Sequence, residues 1–218
     1  MVNTILRIIL NILLEIDASA LDEFPERGPL IAAANHVNFL DAPVLITELI
    51  PRPVTGFVKK ETWDKPLLAF LFNLWRGIPI DRSIADFQAF KEAKQALNEG
   101  KILAIAPEGT RSEDGCLQRG KPGIAILAGK LDVPILPVAY YGHEAFKTNL
   151  KRLKRTPMHI RMGKPFRLKF NQNRNDKTSM QAMTDAIMLE VAALLPDQYH
   201  GAYADISIEK EKFIDYLN

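Results

Sequence analysis

Short apolar runs alternate with longer amphipathic stretches along the middle of the chain. The short runs are bounded by turn-forming residues and predict β-strands. They cover residues 30–34, 54–58, 78–80, 102–106 and 135–141, with a late strand at 159–162. The longer stretches repeat their apolar residues at helical spacing and predict helices over residues 41–49, 66–74, 84–98, 123–131 and 179–195.

Strands separated by helices favour a largely parallel sheet with helices on its faces. The chain of 218 residues contains no internal repeat and no linker, so its length suits one domain. The predicted fold class is therefore α/β: a single domain with a mostly parallel central sheet flanked by helices, plus an N-terminal apolar helix. A charged helix is also expected near the C-terminus, over residues 206–216.

The N-terminal apolar helix is predicted over residues 2–16, which are mostly Ile, Leu and Val. This run is too short to span a bilayer, which takes about 20 residues. No clear small-residue cleavage site follows it, which argues against a signal peptide. Two interpretations stay open: a helix packed against the core or a partner, and a helix that lies in the membrane interface.

Composition narrows the possible functions. Hydrophobic residues make up 47% and charged residues 25% of the chain, as in a folded protein. The formal net charge is only +2, which argues against non-specific nucleic-acid binding. Cys116 is the only cysteine, so an intramolecular disulfide is excluded. No signature of a nucleophilic cysteine or serine is present.

The first candidate for chemistry is the segment N-H-V-N-F-L-D, which starts just after the strand at 30–34. His36 and Asp41 are five residues apart and need a turn to meet. We expect Asp41 to be the N-cap of the next helix, with Pro43 in the first turn. An aspartate bonded to one imidazole nitrogen leaves the other as a general base. By itself, the spacing favours a capping aspartate beside an ordinary loop histidine, because His-x4-Asp often occurs by chance.

The second candidate is P-E-G-T-R at residues 107–111, after the strand at 102–106. In open α/β sheets ligands bind at the carboxyl ends of strands. Glu108 can accept hydrogen bonds from hydroxyls, and Arg111 can bind phosphate with two parallel N–H groups. Gly109 allows close backbone approach and can offer an N–H to an oxyanion. A polar turn with a surface ion pair is the alternative.

Other charged residues carry weaker signals. Lys60 and Arg82 follow two further predicted strands, which puts more cations at the same edge of the sheet. His143, His159 and His200 form no metal-spacing pattern and are interpreted as structural or surface residues. The basic run at 151–155 is either a solvated stretch or a contact for anionic lipid or an acidic carrier protein.

Taken in order, these motifs resemble the glycerophospholipid acyltransferase family, of the lysophosphatidic acid acyltransferase (1-acylglycerol-3-phosphate O-acyltransferase) type. The resemblance runs over residues 35–138 and rests on four blocks in the family's order. They are N-H-x4-D at 35–41, the region from Lys60-Glu61 to Ile80-Asp81-Arg82, P-E-G-T-R at 107–111, and V-P-I-L-P-V at 133–138. Asn38 stands where the family often has serine.

The resemblance implies direct acyl transfer. His36, oriented by Asp41, would take a proton from the acceptor hydroxyl, which would attack the carbonyl of an acyl thioester without a covalent acyl-enzyme. The same resemblance assigns acceptor binding to a set of residues: Lys60, Arg82, Glu108, Gly109, Thr110 and Arg111. Within that set, the three basic residues would bind phosphate, the glutamate a hydroxyl and the glycine amide the oxyanion.

The expected reaction converts 1-acylglycerol-3-phosphate to phosphatidic acid in phospholipid synthesis. Glycerol-3-phosphate, another lysophospholipid or a glycolipid is the alternative acceptor. Acyl-CoA or acyl-ACP (acyl carrier protein) would be the donor, with no metal or bound cofactor and no nucleic-acid partner. Residues 1–16 are then expected to be an interfacial membrane helix and 17–218 the acyltransferase domain, peripheral or monotopic on the cytoplasmic face. A lipid-binding protein that lost catalysis is the competing, non-enzymatic interpretation.

Overall fold

A computed structural model describes residues 1–81, 86–170 and 177–217 of the chain, without the side chain of Lys177. These residues form a nine-stranded sheet. Its strands are β1 (Leu14–Asp17), β2 (Leu30–Ala34), β3 (Val54–Lys59), β4 (Ile78–Ile80), β5 (Ile102–Ile105), β6 (Ile135–Tyr141), β7 (Thr156–Met162), β8 (Phe166–Leu168) and β9 (Ile214–Tyr216).

The helices are α1 (Val2–Leu13), α2 (Asp41–Glu48), α3 (Pro66–Leu74), α4 (Phe87–Asn98), α5 (Gly123–Leu131), α6 (Phe146–Lys151) and α7 (Lys177–Ala192). Short 3-10 turns lie at Ser19–Glu23, Lys60–Asp64, Asp197–Tyr199, Gly201–Tyr203 and Lys210–Lys212. Within the described ranges, no helix is both long enough and apolar enough to cross a bilayer.

The sheet has the strand order β1-β7-β6-β2-β5-β3-β4. From β6 to β4 every neighbouring pair is parallel, and β1 is parallel to β7. The antiparallel pairs are β6 with β7, β6 with β8 and β8 with β9. The predicted α/β class with a mostly parallel sheet is confirmed. Because β6, β2, β5 and β3 run in parallel side by side, their carboxyl ends meet at one edge.

The sheet is covered by helices on both faces, and β2 explains why. All five residues of β2 are buried, and alternate side chains of a strand point to opposite faces. Ala32 and Ala34 pack in a cluster that includes Leu10 of α1 and Leu45 of α2. Ile31 and Ala33 pack in the second cluster, with residues of α4, α5 and α7. A strand buried on both faces in this way has no polar face in its sequence.

The two ends of the chain differ from the prediction. The N-terminal helix ends at Leu13 instead of residue 16, and β1 follows it, paired with β7. Ile12, Leu13 and Leu14 are apolar on both sides of this change, so local composition does not reveal it. The helix predicted over 206–216 is wrong: this segment contains a 3-10 turn and β9, whose Ile214 pairs with Leu168. Helix α4 is described from Phe87, and residues 84 and 85 of its predicted span lie outside the described ranges.

Candidate active site

The residues expected to carry chemistry follow strands that are neighbours in the sheet. The segment N-H-x4-D follows β2, P-E-G-T-R follows β5, and Lys60 follows β3. In the order β6-β2-β5-β3 these strands are parallel, so the loops emerge at the same edge. The structure therefore brings the motifs from separate parts of the chain to one place, where parallel α/β sheets bind their ligands.

His36 and Asp41 are in contact. Nδ1 of His36 lies 2.7 Å from Oδ2 of Asp41. Because an ionised carboxylate only accepts hydrogen bonds, Nδ1 carries the proton and Nε2 presents a lone pair. The His36 side chain is 22% exposed, so a substrate can reach it, while the Asp41 side chain is 6% exposed. This is the arrangement that a histidine needs to act as a general base.

The turn that joins the two residues is closed by Asp41 itself. Oδ2 of Asp41 also accepts the backbone N–H groups of Val37 and Asn38, at 2.8 and 3.1 Å. The predicted N-cap role of Asp41 is wrong, because Asp41 lies inside the first turn of α2 and Leu40 occupies the N-cap position. The carboxylate points back to the preceding loop because that loop supplies its donors.

A second histidine binds the same carboxylate. Nε2 of His143 lies 2.6 Å from Oδ1 of Asp41, and the His143 side chain is fully buried. The sequence predicts a structural or surface residue at His143 and does not reveal this contact with Asp41. A signal was available, since His143 follows the end of β6 just as His36 follows the end of β2. The strand-end rule that singled out the other loops applies to His143 as well.

These contacts control the charge of Asp41. Burial raises the pKa of its carboxyl, but hydrogen bonds from His143 and His36 outweigh that effect. The net result is a pKa below the ordinary range, so Asp41 is an anion at neutral pH. An anionic Asp41 holds the tautomer of His36 and stabilises the imidazolium that forms when His36 takes a proton.

Glu108 has a different environment. It is 2% exposed, Oε1 accepts the backbone N–H of His36, and Oε2 accepts that of Gln118, both at 2.9 Å. Burial raises the pKa of Glu108 to about 7, although the two amide donors lower it. In this structure Glu108 joins the two loops through their backbones, and its direct contact with an acceptor hydroxyl stays a prediction.

Gly109 adopts a backbone conformation that favours glycine. Its φ is 71°, and a Cβ at this position would lie 3.1 Å from Nζ of Lys121. The Gly109 N–H donates to the carbonyl of Ala106 at 3.0 Å. This amide is therefore already hydrogen-bonded within a turn, and the proposed oxyanion role requires that bond to rearrange. Lys121, to which the sequence assigned no role, is a further cation beside this loop.

The remaining predicted residues are Thr110, Arg111, Lys60 and Arg82. Thr110 and Arg111 are exposed, and the next residue, Ser112, donates its N–H to the carbonyl of His36 at 2.8 Å. That bond brings the arginine loop against the dyad of His36 and Asp41. Lys60 is exposed and lies 3.4 Å from Asp86. Arg82 lies outside the described residues.

Comparison with known proteins identifies relatives with similar sequences. A chain from Limnanthes douglasii named 1-acyl-sn-glycerol-3-phosphate acyltransferase is 36% identical over 135 residues, which are 60% of this chain and 48% of that protein. The chain thus matches about half the length of this relative. A Bacillus subtilis protein of the same name is 28% identical over 174 residues, which are 79% of this chain and 84% of that protein.

A solved structure shares the fold. The 1-acyl-sn-glycerophosphate (LPA) acyltransferase from Thermotoga maritima superposes with a TM-score of 0.65 at 20% identity, covering 88% of this chain and 76% of that one. The sequence profile of the Acyltransferase family matches residues 15–141, which contain β1 to β6 and the dyad. From this match, the chain belongs to the Acyltransferase family.

Proposed function

We propose that the protein is a 1-acylglycerol-3-phosphate O-acyltransferase, which uses His36 as the general base. The observation that carries the proposal is the contact of 2.7 Å between His36 and Asp41, which leaves Nε2 of His36 open to a substrate. The resemblance of the motifs and the names of the relatives favour this acceptor. Glycerol-3-phosphate, another lysophospholipid or a glycolipid stays the alternative.

The proposed reaction proceeds through one tetrahedral intermediate. Nε2 of His36 takes the proton of the free hydroxyl, and that oxygen forms a bond to the thioester carbonyl carbon. When the tetrahedral species collapses, the C–S bond breaks and the leaving thiolate takes the proton from the imidazolium. The products are the diacyl phosphate ester and a free thiol. No acyl-enzyme forms, and no metal or bound cofactor takes part.

Acceptor binding is assigned to the loops beside the dyad. Arg111 is exposed and immediately precedes the residue that is hydrogen-bonded to His36, so its guanidinium can reach a phosphate near the reacting hydroxyl. We propose that Lys60 and Arg82 add positive charge, and that Thr110 contributes a hydroxyl. The donor is proposed to be acyl-CoA or acyl-ACP, whose thiol leaves as described.

We also propose that α1 attaches the protein to a bilayer. Leu10 of this helix is buried in the core, yet the opposite side exposes a row of isoleucines. They are Ile5, Ile8, Ile9 and Ile12. Each gains about 1.5–3 kcal/mol on full burial, so partial burial of several would hold the protein on lipid. The helix thus combines both interpretations of its sequence, core packing on one side and the membrane interface on the other.

The basic run at 151–155 adjoins the same helix. Arg155 donates to the backbone carbonyls of Asn11 at 3.0 Å and of Leu14, near the C-terminal end of α1. All five residues of the run are exposed. Cations here would attract anionic headgroups, by roughly 1 kcal/mol per charge. We propose a peripheral or monotopic attachment at the cytoplasmic face, where such lipids are found.

The test of the enzymatic proposal is an acyl-transfer assay, read by mass spectrometry, on a panel of acceptors and donors. Lysophosphatidic acid should give phosphatidic acid, and acyl-CoA and acyl-ACP should be compared as donors. Binding of lysophosphatidic acid without any product would favour the lipid-binding alternative. A preferred product from glycerol-3-phosphate would keep the mechanism and change the acceptor.

The test of membrane attachment uses substitution, because deletion of α1 would remove buried Leu10 and disturb the core. Replacing the four exposed isoleucines by glutamine should abolish most sedimentation with anionic liposomes while leaving the circular dichroism spectrum intact. The matched control replaces Phe87 and Ile126, which are also exposed but lie on α4 and α5 across the sheet. Equal loss of binding in both variants would contradict the role of α1.

A further inference from the structure

The loop that follows β2 is fastened to the end of β6 by three side chains. Asn35 donates its side-chain N–H to the carbonyl of Tyr140 at 2.8 Å and accepts the N–H of Tyr140 at 2.7 Å. Asn38 donates to the carbonyl of His143 at 3.0 Å. Asp41 accepts from Nε2 of His143 at 2.6 Å. The position of the dyad is therefore set by β6 as well as by its own loop.

The side chain of His143 has an unusual hydrogen-bonding state for a buried group. Its Nδ1 is buried and finds no hydrogen-bond partner in the part of the chain that the structure describes. Because Asp41 can only accept, Nε2 of His143 carries a proton, and in the neutral imidazole Nδ1 is then a bare lone pair. An unpaired buried polar atom is destabilising, so stability alone gives little reason for a histidine here. What His143 provides is one short hydrogen bond to the carboxylate of Asp41.

We propose that His143 is a positioning residue for acyl transfer: it fixes the carboxylate of Asp41 and divides its charge between two imidazoles, which sets the pH range in which His36 acts as a base. The inference rests on the proposed function, in which His36 is that base. His143 does not touch the substrate in this role. It acts through Asp41.

The physical reason lies in how many donors share one carboxylate. Each N–H that binds Asp41 withdraws negative charge from it, so fewer donors leave a stronger attraction for the proton on His36. Without His143, the charge of Asp41 would be shared among fewer donors, so the acidic limb of the activity profile should move to higher pH. The titratable groups facing His36 are Asp41 and Glu108, which binds its backbone N–H, and Glu113 lies in the adjoining loop.

The experiment compares His143→Gln with His143→Leu in pH profiles of kcat/KM for lysophosphatidic acid. The glutamine amide can reach Asp41 from about the position of Nε2, whereas leucine has a similar volume and no donor. We expect leucine to lower kcat by about 10–100-fold, as part of the contribution of a general base. The midpoint of the acidic limb should also move up by about half a pH unit or more. Glutamine should keep both values near the wild type.

The control is His200→Gln, because His200 is a partly buried histidine that bonds to the carbonyl of Leu195 instead of Asp41. It should leave rate and midpoint unchanged. Equal losses in the Gln and Leu variants at position 143 with an unshifted midpoint would make His143 merely structural and overturn the inference. Wild-type kinetics in the Leu variant would overturn it too.

A measurement on the wild type covers the case in which the Leu variant does not fold. In protein labelled with ¹⁵N-histidine, the nitrogen shifts of His143 should report a proton on Nε2 and none on Nδ1. A proton on Nδ1 with a bare Nε2 contradicts the proposed bond. Activity of His36→Ala would refute the proposed function, whereas an inactive His36→Ala beside unaffected His143 variants would refute only this inference.

Discussion

The loops that follow β2 and β5 each bury one carboxyl group, and the pKa values of the two groups shift in opposite directions. Asp41 and Glu108 are 4% and 2% exposed, and each accepts two backbone N–H groups. Asp41 also binds two imidazoles, and its pKa falls below the ordinary range, whereas burial raises the pKa of Glu108 to about 7. Burial alone therefore does not determine the charge of a carboxyl group. The two imidazole donors at Asp41 decide the difference.

This difference separates two roles at one sheet edge. The β2 loop holds a permanent anion beside the proposed base, so changes there should lower kcat. The β5 loop contains a carboxyl group that changes charge near neutral pH and an exposed arginine. Substitutions there should therefore alter the pH dependence of stability and the affinity for the acceptor. Four substitutions, two in each loop, test that division.

The largest effect is expected from His36→Ala. Removal of a positioned general base should lower kcat by about 10²–10⁴-fold while KM for the acceptor changes little. The measurement is a steady-state assay with lysophosphatidic acid, with circular dichroism to establish folding and His200→Ala as the control. Wild-type turnover in the His36 variant would remove the β2 loop from the chemistry.

Asp41→Asn should come next. The amide cannot accept all the donors that meet at the carboxylate, and it no longer stabilises the imidazolium, so kcat should fall by roughly 10–10³-fold. The Asp41 carboxylate accepts from both imidazoles and both amides, so thermal unfolding should be followed in parallel to separate misfolding from lost chemistry. A kcat unchanged from wild type would show that the anion is not needed.

Glu108→Gln should remove the part of the pH dependence of the unfolding free energy that Glu108 causes. Folded protein keeps Glu108 protonated up to about pH 7, whereas the unfolded chain loses that proton near its ordinary pKa of 4.5. The stabilisation is therefore fully present below that lower value and is lost as pH rises through about 7, a change of about 3 kcal/mol. The glutamine variant lacks this slope.

The measurement is urea unfolding at several pH values from 4.5 to 7.5, compared between wild type and the Glu108 variant. The matched control is Glu113→Gln, since Glu113 is exposed in the same loop. Its stability should follow the wild-type curve. Parallel curves for the wild type and the Glu108 variant would mean that Glu108 is ionised throughout.

The smallest effect is expected from the arginine of the β5 loop. Loss of a charge-assisted contact to phosphate in Arg111→Ala should raise KM for lysophosphatidic acid by about 10–100-fold. Arg111→Lys should recover only part of this, because a point charge lacks the two parallel N–H groups. An acceptor without phosphate should be insensitive to both changes, and Arg27→Ala, another exposed arginine, is the control. Full recovery by lysine would argue against a bidentate contact.

Much of the fold follows from local sequence, and the site follows only partly. β2 and β5 are buried on both faces and appear as uninterrupted apolar runs. β8 and β9 have three residues each, and their existence depends on pairing with one another across the chain. No local pattern carries that information. The boundary between α1 and β1 is hidden for a related reason, because β1 depends on its pairing with β7 and the apolar residues run across the boundary.

In the site, the motifs identified His36, Asp41 and the β5 loop, but motifs do not report three-dimensional contacts. His143 is 102 residues from Asp41, and their meeting depends on the adjacency of β2 and β6. Burial of Glu108 likewise depends on the loop around Gln118 closing over it. Residue type predicted a hydrogen-bonding role for Glu108, whereas only the packing reveals that backbone amides are its partners.

The attachments of α1 to the domain have a consequence for how the enzyme would meet its substrate. Asn3 of α1 accepts a hydrogen bond from Trp75, and Arg7 forms an ion pair with Glu48 at 2.7 Å. Near the C-terminal end of the helix, Arg155 donates a hydrogen bond to the carbonyl of Asn11. A helix fixed at its start, middle and end moves with the domain as one piece. If α1 rests on lipid as proposed, the dyad would be held at a set height and tilt above the bilayer. The search for an acceptor would then be lateral diffusion in two dimensions, with its phosphate always approaching from the same side.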